Sequence, residues 1–399
     1  MKYNFNKLTN RHNTNSVKWD SCEGVLPMWI ADMDFEVAPC IQKALHKKID
    51  EDILGYTRIP DSYYKSVSDW FERRHGLRIE REWVNVVQGV VPAIEIAIAA
   101  FCDKGDKVLI QGPSYTCFFS AVENQECVLH RNDLVYDEKS HSYSIDFEEF
   151  EQKCADPRCK VFLLCNPQNP TGRMWKKDEL ARMGEIARRH NVIVISDEIH
   201  CEIQMPGFKY VPFAGISEED RQNCVMFCSP TKGFNLAGLQ VANIVVPNPE
   251  LKKKVDDVIR RWHHNDVNQI GIIALQAAYT PKGEDWLDSS NRYIWENYLT
   301  LKKMFEEQAP EFPVTSLEAT YLAWINCRAL HGCFDSKQIS DSLKEKEKVW
   351  VNEGDIYGVD DFIRINLACP RKRLIEGTQR VIDGLKRLSI LSRKLDAGA

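Results

Sequence analysis

The tetrapeptide Ser229-Pro230-Thr231-Lys232 follows the apolar run Cys224 to Cys228 and precedes Gly233, Phe234 and Asn235. A lysine at the end of a buried strand, flanked by small hydroxyl residues and glycine, is badly placed as a solvated charge. It is well placed to form a Schiff base with a carbonyl. A second apolar run, Val192 to Ile195, leads into Ser196, Asp197 and Glu198, which puts Asp197 35 residues before Lys232. Two such strand ends bring a carboxylate and an amine to one crevice in an open α/β sheet. Burial raises the pKa of such an aspartate unless a cation meets it, and a protonated pyridine nitrogen is that cation. The pair points to pyridoxal phosphate. His200, three residues beyond Asp197, could donate to a phenolate oxygen on the same ring; a plain loop or helix-start histidine is the equal alternative.

Three further groups join this pair. Gln88 and Gly89 end a strand, and Val90, Val91 and Pro92 open a helix whose free amides and dipole favour an anion such as phosphate. Asn166-Pro167-Gln168-Asn169-Pro170-Thr171-Gly172 follows another apolar strand, and its prolines and glycine present the Asn169 side chain rigidly at the strand's carboxyl end. Near the far end, Phe362, Arg364, Asn366 and Ala368 share one face of a strand, and Ile363, Ile365 and Leu367 share the other. A guanidinium fork at Arg364 suits a substrate carboxylate, with a surface ion pair as the plainer alternative.

The elements that must carry these residues alternate. Strands are predicted at Val84 to Val87, Lys107 to Ile110, Cys127 to His130, Val161 to Leu164, Val192 to Ile195, Val225 to Cys228 and Val241 to Val246. Helices between them span Pro92 to Cys102, Cys117 to Asn124, Phe147 to Cys154 and Lys177 to His190, the last with Leu180, Met183, Ile186 and Ala187 on one face. Several strands are apolar on both sides, as parallel strands covered by helices should be. Long helical stretches follow at Glu250 to His263, Gln269 to Tyr279 and Trp286 to Glu307. Strands then return at Thr320 to Asn326, Val349 to Asn352 and Phe362 to Ala368, among helices Ser336 to Lys346 and Arg371 to Ser392, as a smaller α/β unit. The expected division is an N-terminal arm over 1–45 that joins the small domain, a large domain over 46–284 with a mostly parallel sheet between helices, and a small C-terminal domain over 285–399.

Composition narrows the partners. With 399 residues the chain can hold about two or three domain-sized units and a large cleft. Its 44% apolar and 28% charged residues are ordinary for a globular protein, and a net charge of -6 leaves no basic footprint for nucleic acid. The N-terminus has no signal-type apolar stretch, and no segment approaches a membrane span, so a cytoplasmic setting without membrane contact is expected. Fourteen cysteines then read as reduced, half-buried residues. No Cys-x-x-Cys pair occurs and His263 and His264 are adjacent, so no metal site is expected.

In order along the chain, Asn166 to Gly172, the Asp197 strand end and Ser229-x-x-Lys232 resemble the fold-type I pyridoxal-phosphate enzymes of the aminotransferase class I/II family, over nearly the whole chain. Finer features are similar to its cystathionine β-lyase (carbon-sulfur lyase) branch: Lys18-Trp19-Asp20, Met28-Trp29-Ile30-Ala31-Asp32-Met33-Asp34-Phe35, Gly55-Tyr56-Thr57, Asp197-Glu198-Ile199-His200 and Asn235-Leu236-Ala237-Gly238-Leu239. The resemblance implies that Lys232 carries the cofactor as a Schiff base, Asp197 meets the pyridine nitrogen, Asn169 donates to the phenolate oxygen and Tyr115 stacks on the ring. It further implies phosphate on the amides of Val90 and Val91 and on Ser229. The substrate carboxylate falls to Arg364, helped by the Ala31 backbone, and Tyr56 reaches the neighbouring subunit's phosphate in a homodimer.

Two departures stand out. Gln240 occupies the position, eight residues after the lysine, where many relatives have a phosphate-binding arginine, and Cys117 replaces a proline near the stacking aromatic. The implied activity is α,β-elimination from L-cystathionine or a related cysteine S-conjugate, giving a thiol, pyruvate and ammonia. An aminotransferase is the nearest alternative, and a non-catalytic regulatory protein on the same scaffold is a third.

Overall fold

Seven apolar runs pair into one central sheet in the computed structural model, which describes residues 2–51, 53–264 and 266–398, the last three as backbone only. In chain order they are β1 (Val84–Val87), β2 (Lys107–Gly112), β3 (Val128–Asp133), β4 (Cys159–Cys165), β5 (Ile193–Asp197), β6 (Cys224–Cys228) and β7 (Ala242–Val245). Across the sheet the order is β3-β2-β4-β5-β6-β7-β1. All pairs from β3 to β6 are parallel, and β7 is antiparallel to both its neighbours. Two reversals restore direction, so β1 points the same way as β6. The carboxyl ends of β1, β2, β4, β5 and β6 therefore share one edge.

Alternation along each strand feeds two apolar layers. Val108, Ile110, Leu163, Ile195 and Phe227 pack with the helices Val90–Phe101, Thr116–Asn124 and Pro249–Trp262. Leu109, Phe162, Leu164, Val194 and Met226 point the other way, into a layer containing Asp61–His75, Phe147–Cys154, Lys177–Arg189 and Gln269–Ala278. Burial on both faces explains why these strands read as continuous hydrophobic runs.

The second unit holds a three-stranded antiparallel sheet with Phe362–Asn366 between Leu322–Asn326 and Asn352–Glu353. The predicted strand Val349 to Asn352 is two short ones: Val349–Trp350 pairs with Leu26–Pro27, and Asn352–Glu353 joins the sheet. The predicted helix Ser336 to Lys346 is α-helical only over Ser336–Ser342 and then widens into a π turn at Leu343–Glu347. Both expected domain boundaries fall inside helices, Pro39–Ile49 and Pro281–Gln308. A helix can belong to two packed layers at once, and local periodicity does not mark where that happens.

The N-terminal segment is anchored by charge. Asp34 is buried, 3.2 Å from the equally buried Lys18 ammonium, 3.2 Å from Arg11 and 3.4 Å from Arg373. The Trp19 indole N–H donates to it at 2.9 Å. Burial alone would lift its pKa, but Lys18, the Trp19 N–H and Arg373 hold it below the usual aspartate value. Because the folded pKa is depressed, this stability is present above the unfolded aspartate pKa and is lost as pH falls through the folded one. Asp34→Ala leaves Lys18 buried without its partner and should cost about 3–5 kcal/mol in urea unfolding; a loss below about 1 kcal/mol would show that the cluster is not a structural anchor.

Candidate active site

Strand ends supply one wall of a cavity of about 1080 Å³, and the N-terminal segment supplies the opposite wall. Ala31, Val90, Val91, Tyr115, Asn169, Asp197, His200, Lys232 and Arg364, all singled out in the sequence, line it. Asp197 closes β5, Asn169 lies four residues past β4, and Lys232 lies four past β6. Gly89, at φ +138°, turns β1 into the Val90–Phe101 helix, so that helix presents its N-terminus and free amides to the cavity.

Lys232 Nζ donates to the Ala31 carbonyl at 3.0 Å, and the Tyr321 hydroxyl donates to the same oxygen at 3.1 Å. Burial lowers the lysine pKa, helped by Arg364 and opposed by Asp32 and Asp197. An amine so placed loses its proton more easily than a surface lysine. Asp197 is pushed the other way, to about 7, because it is buried and, among the described residues, its side chain accepts only from the Ile199 amide, at 3.1 Å. Among the described residues no cation pairs with it at salt-bridge distance. His200 is buried, its Nδ1 has no partner, and burial with Lys232 and Arg364 nearby lowers its pKa to about 3, so the ring is neutral.

Arg364 sits in the middle strand of the small sheet, buried, with its guanidinium 4.7 Å from the Tyr357 ring centroid. Nη1 donates to Asn169 Oδ1 at 3.0 Å and Nη2 to the Trp29 carbonyl at 2.9 Å, while Nε has no partner. Of the face Phe362, Arg364, Asn366 and Ala368, Arg364 lines the cavity, and the strand is buried throughout.

Two predicted residues are not part of the cavity lining. Ser229 is buried, its hydroxyl donating to the Val241 carbonyl at 2.7 Å and lying 2.7 Å from Oγ1 of Thr231, a lining residue. Tyr56 is fully exposed and borders a separate shallow depression with Leu54 and Asn268. Sequence reasoning did not single out Arg11 and Asp32 individually, nor Trp350, whose ring stacks on Trp29 with centroids 4.3 Å apart. Asp32 was visible within the quoted Trp29 to Phe35 motif; Arg11 carried no local signal.

The fold is that of the fold-type I pyridoxal-phosphate-dependent transferases. The chain belongs to the aminotransferase class I and II family, whose model matches residues 24–381. Cystathionine beta-lyase PatB of Bacillus subtilis (strain 168) is 36% identical over 387 residues, 95% of this chain and 98% of that protein. Cystalysin from Treponema denticola, solved with a pyridoxal 5'-phosphate cofactor, superposes with a TM-score of 0.93 at 34% identity, covering 97% of this chain and all of that one. A PLP-bound C-S lyase from Staphylococcus hominis gives 0.90 at 31% identity, over 96% and 99% of the two chains.

The raised Asp197 pKa carries a stability consequence. Its folded value exceeds the ordinary 3.8, so the proton it binds stabilises the fold fully at low pH, and that contribution is lost as pH rises through about 7. In protein treated with hydroxylamine and then dialysed, so that no Schiff-base-bound group remains, Asp197→Asn should raise stability at pH 8 by on the order of 1–3 kcal/mol and change it little at pH 4. Equal effects at both pH values would mean that the carboxylate is not desolvated as described.

Proposed function

We propose that this protein is a pyridoxal-phosphate-dependent carbon-sulfur β-lyase that cleaves L-cystathionine or related cysteine S-conjugates to a thiol, pyruvate and ammonia. The observation that carries it is a desolvated lysine amine sharing one cavity with a buried, cation-free aspartate and a buried arginine that keeps a free donor. These residues fit the cofactor. Asp197 lacks the cation that a protonated ring nitrogen would supply, the Val90 and Val91 amides open a helix toward a phosphate, and the Tyr115 ring lies in the same wall. Ser229 and Thr231, whose hydroxyls are hydrogen-bonded to each other, are the hydroxyl pair offered to the phosphate, and Gln240, which lines the cavity, brings no fixed positive charge.

When bound, the cofactor supplies an electron sink for the pair left behind when the substrate loses its Cα proton. Arg364 holds the substrate carboxylate, with Asn169 and the Trp29 carbonyl fixing the plane of its fork. Lys232 Nζ, neutral because burial disfavours its charge, takes the Cα proton. The Cβ–S bond then breaks with its electrons on sulfur, and Lys232 returns a proton to the departing thiolate. The aminoacrylate left over takes up water to give pyruvate and ammonia. His200 stays neutral, and its partnerless Nδ1 would be a donor for the cofactor's phenolate oxygen.

Exposed Ile53 and Leu54 beside fully exposed Tyr56 support a homodimer in which this loop meets the other subunit's cavity. Buried cysteines such as Cys154, Cys165, Cys201, Cys224 and Cys228 behave as small apolar core residues, which supports a reducing, cytoplasmic setting; no helix among the described residues is long and apolar enough to cross a membrane.

The aminotransferase alternative uses the same residues and differs in where the proton returns. Purified holoenzyme given L-cystathionine without any keto acid should form pyruvate and thiol continuously; a stall after one turnover would sink the lyase reading. Lys232→Ala should lose turnover by roughly three or more orders of magnitude, because proton carrier and anchor vanish together. Arg364→Ala should instead lower kcat/KM about a hundredfold with cofactor absorbance retained, and an unchanged kcat/KM would place the carboxylate elsewhere.

A further inference from the structure

The roles of Lys232, Asp197 and Arg364 leave part of the cavity lining unused. The N-terminal arm contributes Thr9, Arg11, Ser16, Val17 and Asp32 to that lining. Residues 2–24 contain no helix or strand, yet they are tied down. Arg373 Nη2 donates to the Thr9 carbonyl at 2.9 Å, and Asp20 accepts the backbone N–H groups of Asn13, Thr14 and Ser16 at 2.8, 3.0 and 3.0 Å. The wall is therefore a formed surface.

Two opposite charges stand on it. Arg11 Nη2 and Asp32 Oδ2 are 2.7 Å apart, with side chains 24% and 23% exposed. Arg11 Nη1 donates to the Met33 carbonyl at 3.1 Å and to Asp34 Oδ1 at 3.2 Å. A guanidinium has five N–H donors, so these contacts leave Nε–H and one Nη2–H open, and Asp32 keeps Oδ1 open. Asp32 also raises the Lys232 pKa, which puts its carboxylate within electrostatic reach of the reacting amine. The other acids in the lining do not offer this combination: Asp34 is buried among Lys18, Arg11 and Arg373, Glu36 is paired with Lys7, and Asp197 and Glu353 have no cationic neighbour at salt-bridge distance among the described residues.

A zwitterionic amino-acid head matches an arginine–aspartate pair in charge and spacing, carboxylate to guanidinium and ammonium to carboxylate. Thioethers that join two amino acids carry such a head on the sulfur side, several bonds beyond Cβ; S-alkylcysteines carry none. We propose that Arg11 and Asp32 form a leaving-group subsite that recognises the distal amino-acid head of a thioether substrate, making L-cystathionine preferred over S-alkylcysteines. This rests on the lyase reading above. The pair satisfies itself when no head is present, so an S-alkylcysteine suffers little penalty, and the preference comes from the ion pairs and hydrogen bonds that a distal head makes.

The test compares holoenzyme on L-cystathionine and S-methyl-L-cysteine, by thiol release, for wild type, Arg11→Met, Arg11→Lys and Asp32→Asn. Arg11→Met should lower kcat/KM for cystathionine about tenfold, mainly through KM, while that for S-methylcysteine moves less than about twofold. Arg11→Lys should recover part of the loss, and Asp32→Asn should shift the ratio of the two substrates in the same direction. Equal losses on both substrates would mean that Arg11 acts only by holding the arm, and no loss on cystathionine would mean that the head binds elsewhere; either overturns the subsite while leaving the lyase reading intact. Wild-type enzyme that releases thiol from neither substrate would overturn the lyase reading and the subsite with it.

Discussion

The main chain from Trp29 to Phe35 is the constraint on which the site depends. Its carbonyls accept from side chains drawn from every part of the molecule: Arg364 at Trp29, Asn366 at Ile30 and Asp32, Lys232 and Tyr321 at Ala31, Lys18 at Asp32, and Asn235 at Met33 and Phe35. A backbone carbonyl cannot go without a partner when buried, so each bond fixes the strand end or sheet that supplies it. Sequence-distant Lys232 and Arg364 thereby share one reference frame. The buried Lys18–Asp34 pair holds that frame in place.

Against this saturated backbone, the cavity itself is left unfinished. Asp197 lacks a cation, and Arg364 Nε, His200 Nδ1 and Trp29 Nε1 lack partners. Each is a cost to the folded chain that a bound ligand with matching groups would remove. Trp29, His200 and Arg364 all line the cavity that holds Lys232.

Much of this was legible in the sequence. Val84–Val87 and Phe147–Cys154 occur with the bounds their patterns predicted, because both have strong periodicity and clear flanking turns. The neighbours of each strand were not legible: Ala242–Val245 reads like its parallel companions yet runs against both, since apolar content reports burial and not direction. The helix Asp61–His75 went unread, although Tyr63, Val67, Trp70 and Phe71 sit at helical spacing. Lys232, Asp197 and Asn169 stood out because a strand end followed by a polar residue is a local signal, and Arg364 because it lies opposite the purely apolar face of its strand; all four line the cavity. Arg11 was not, because its partners Asp32 and Asp34 lie more than twenty residues away and only the folded arm joins them. Spacing alone does not separate Ser229 from Thr231: their hydroxyls are hydrogen-bonded to each other, the Ser229 hydroxyl also donates to the Val241 carbonyl, and Thr231 is the one of the two in the lining.

The central claim is that Lys232 is the amine that carries pyridoxal phosphate. Borohydride reduction of the holoprotein followed by peptide mass spectrometry tests it most directly. The account predicts a phosphopyridoxyl group on the peptide containing Lys232 and on no other lysine. A reduced protein without that label, or with the label on a different lysine, would contradict it.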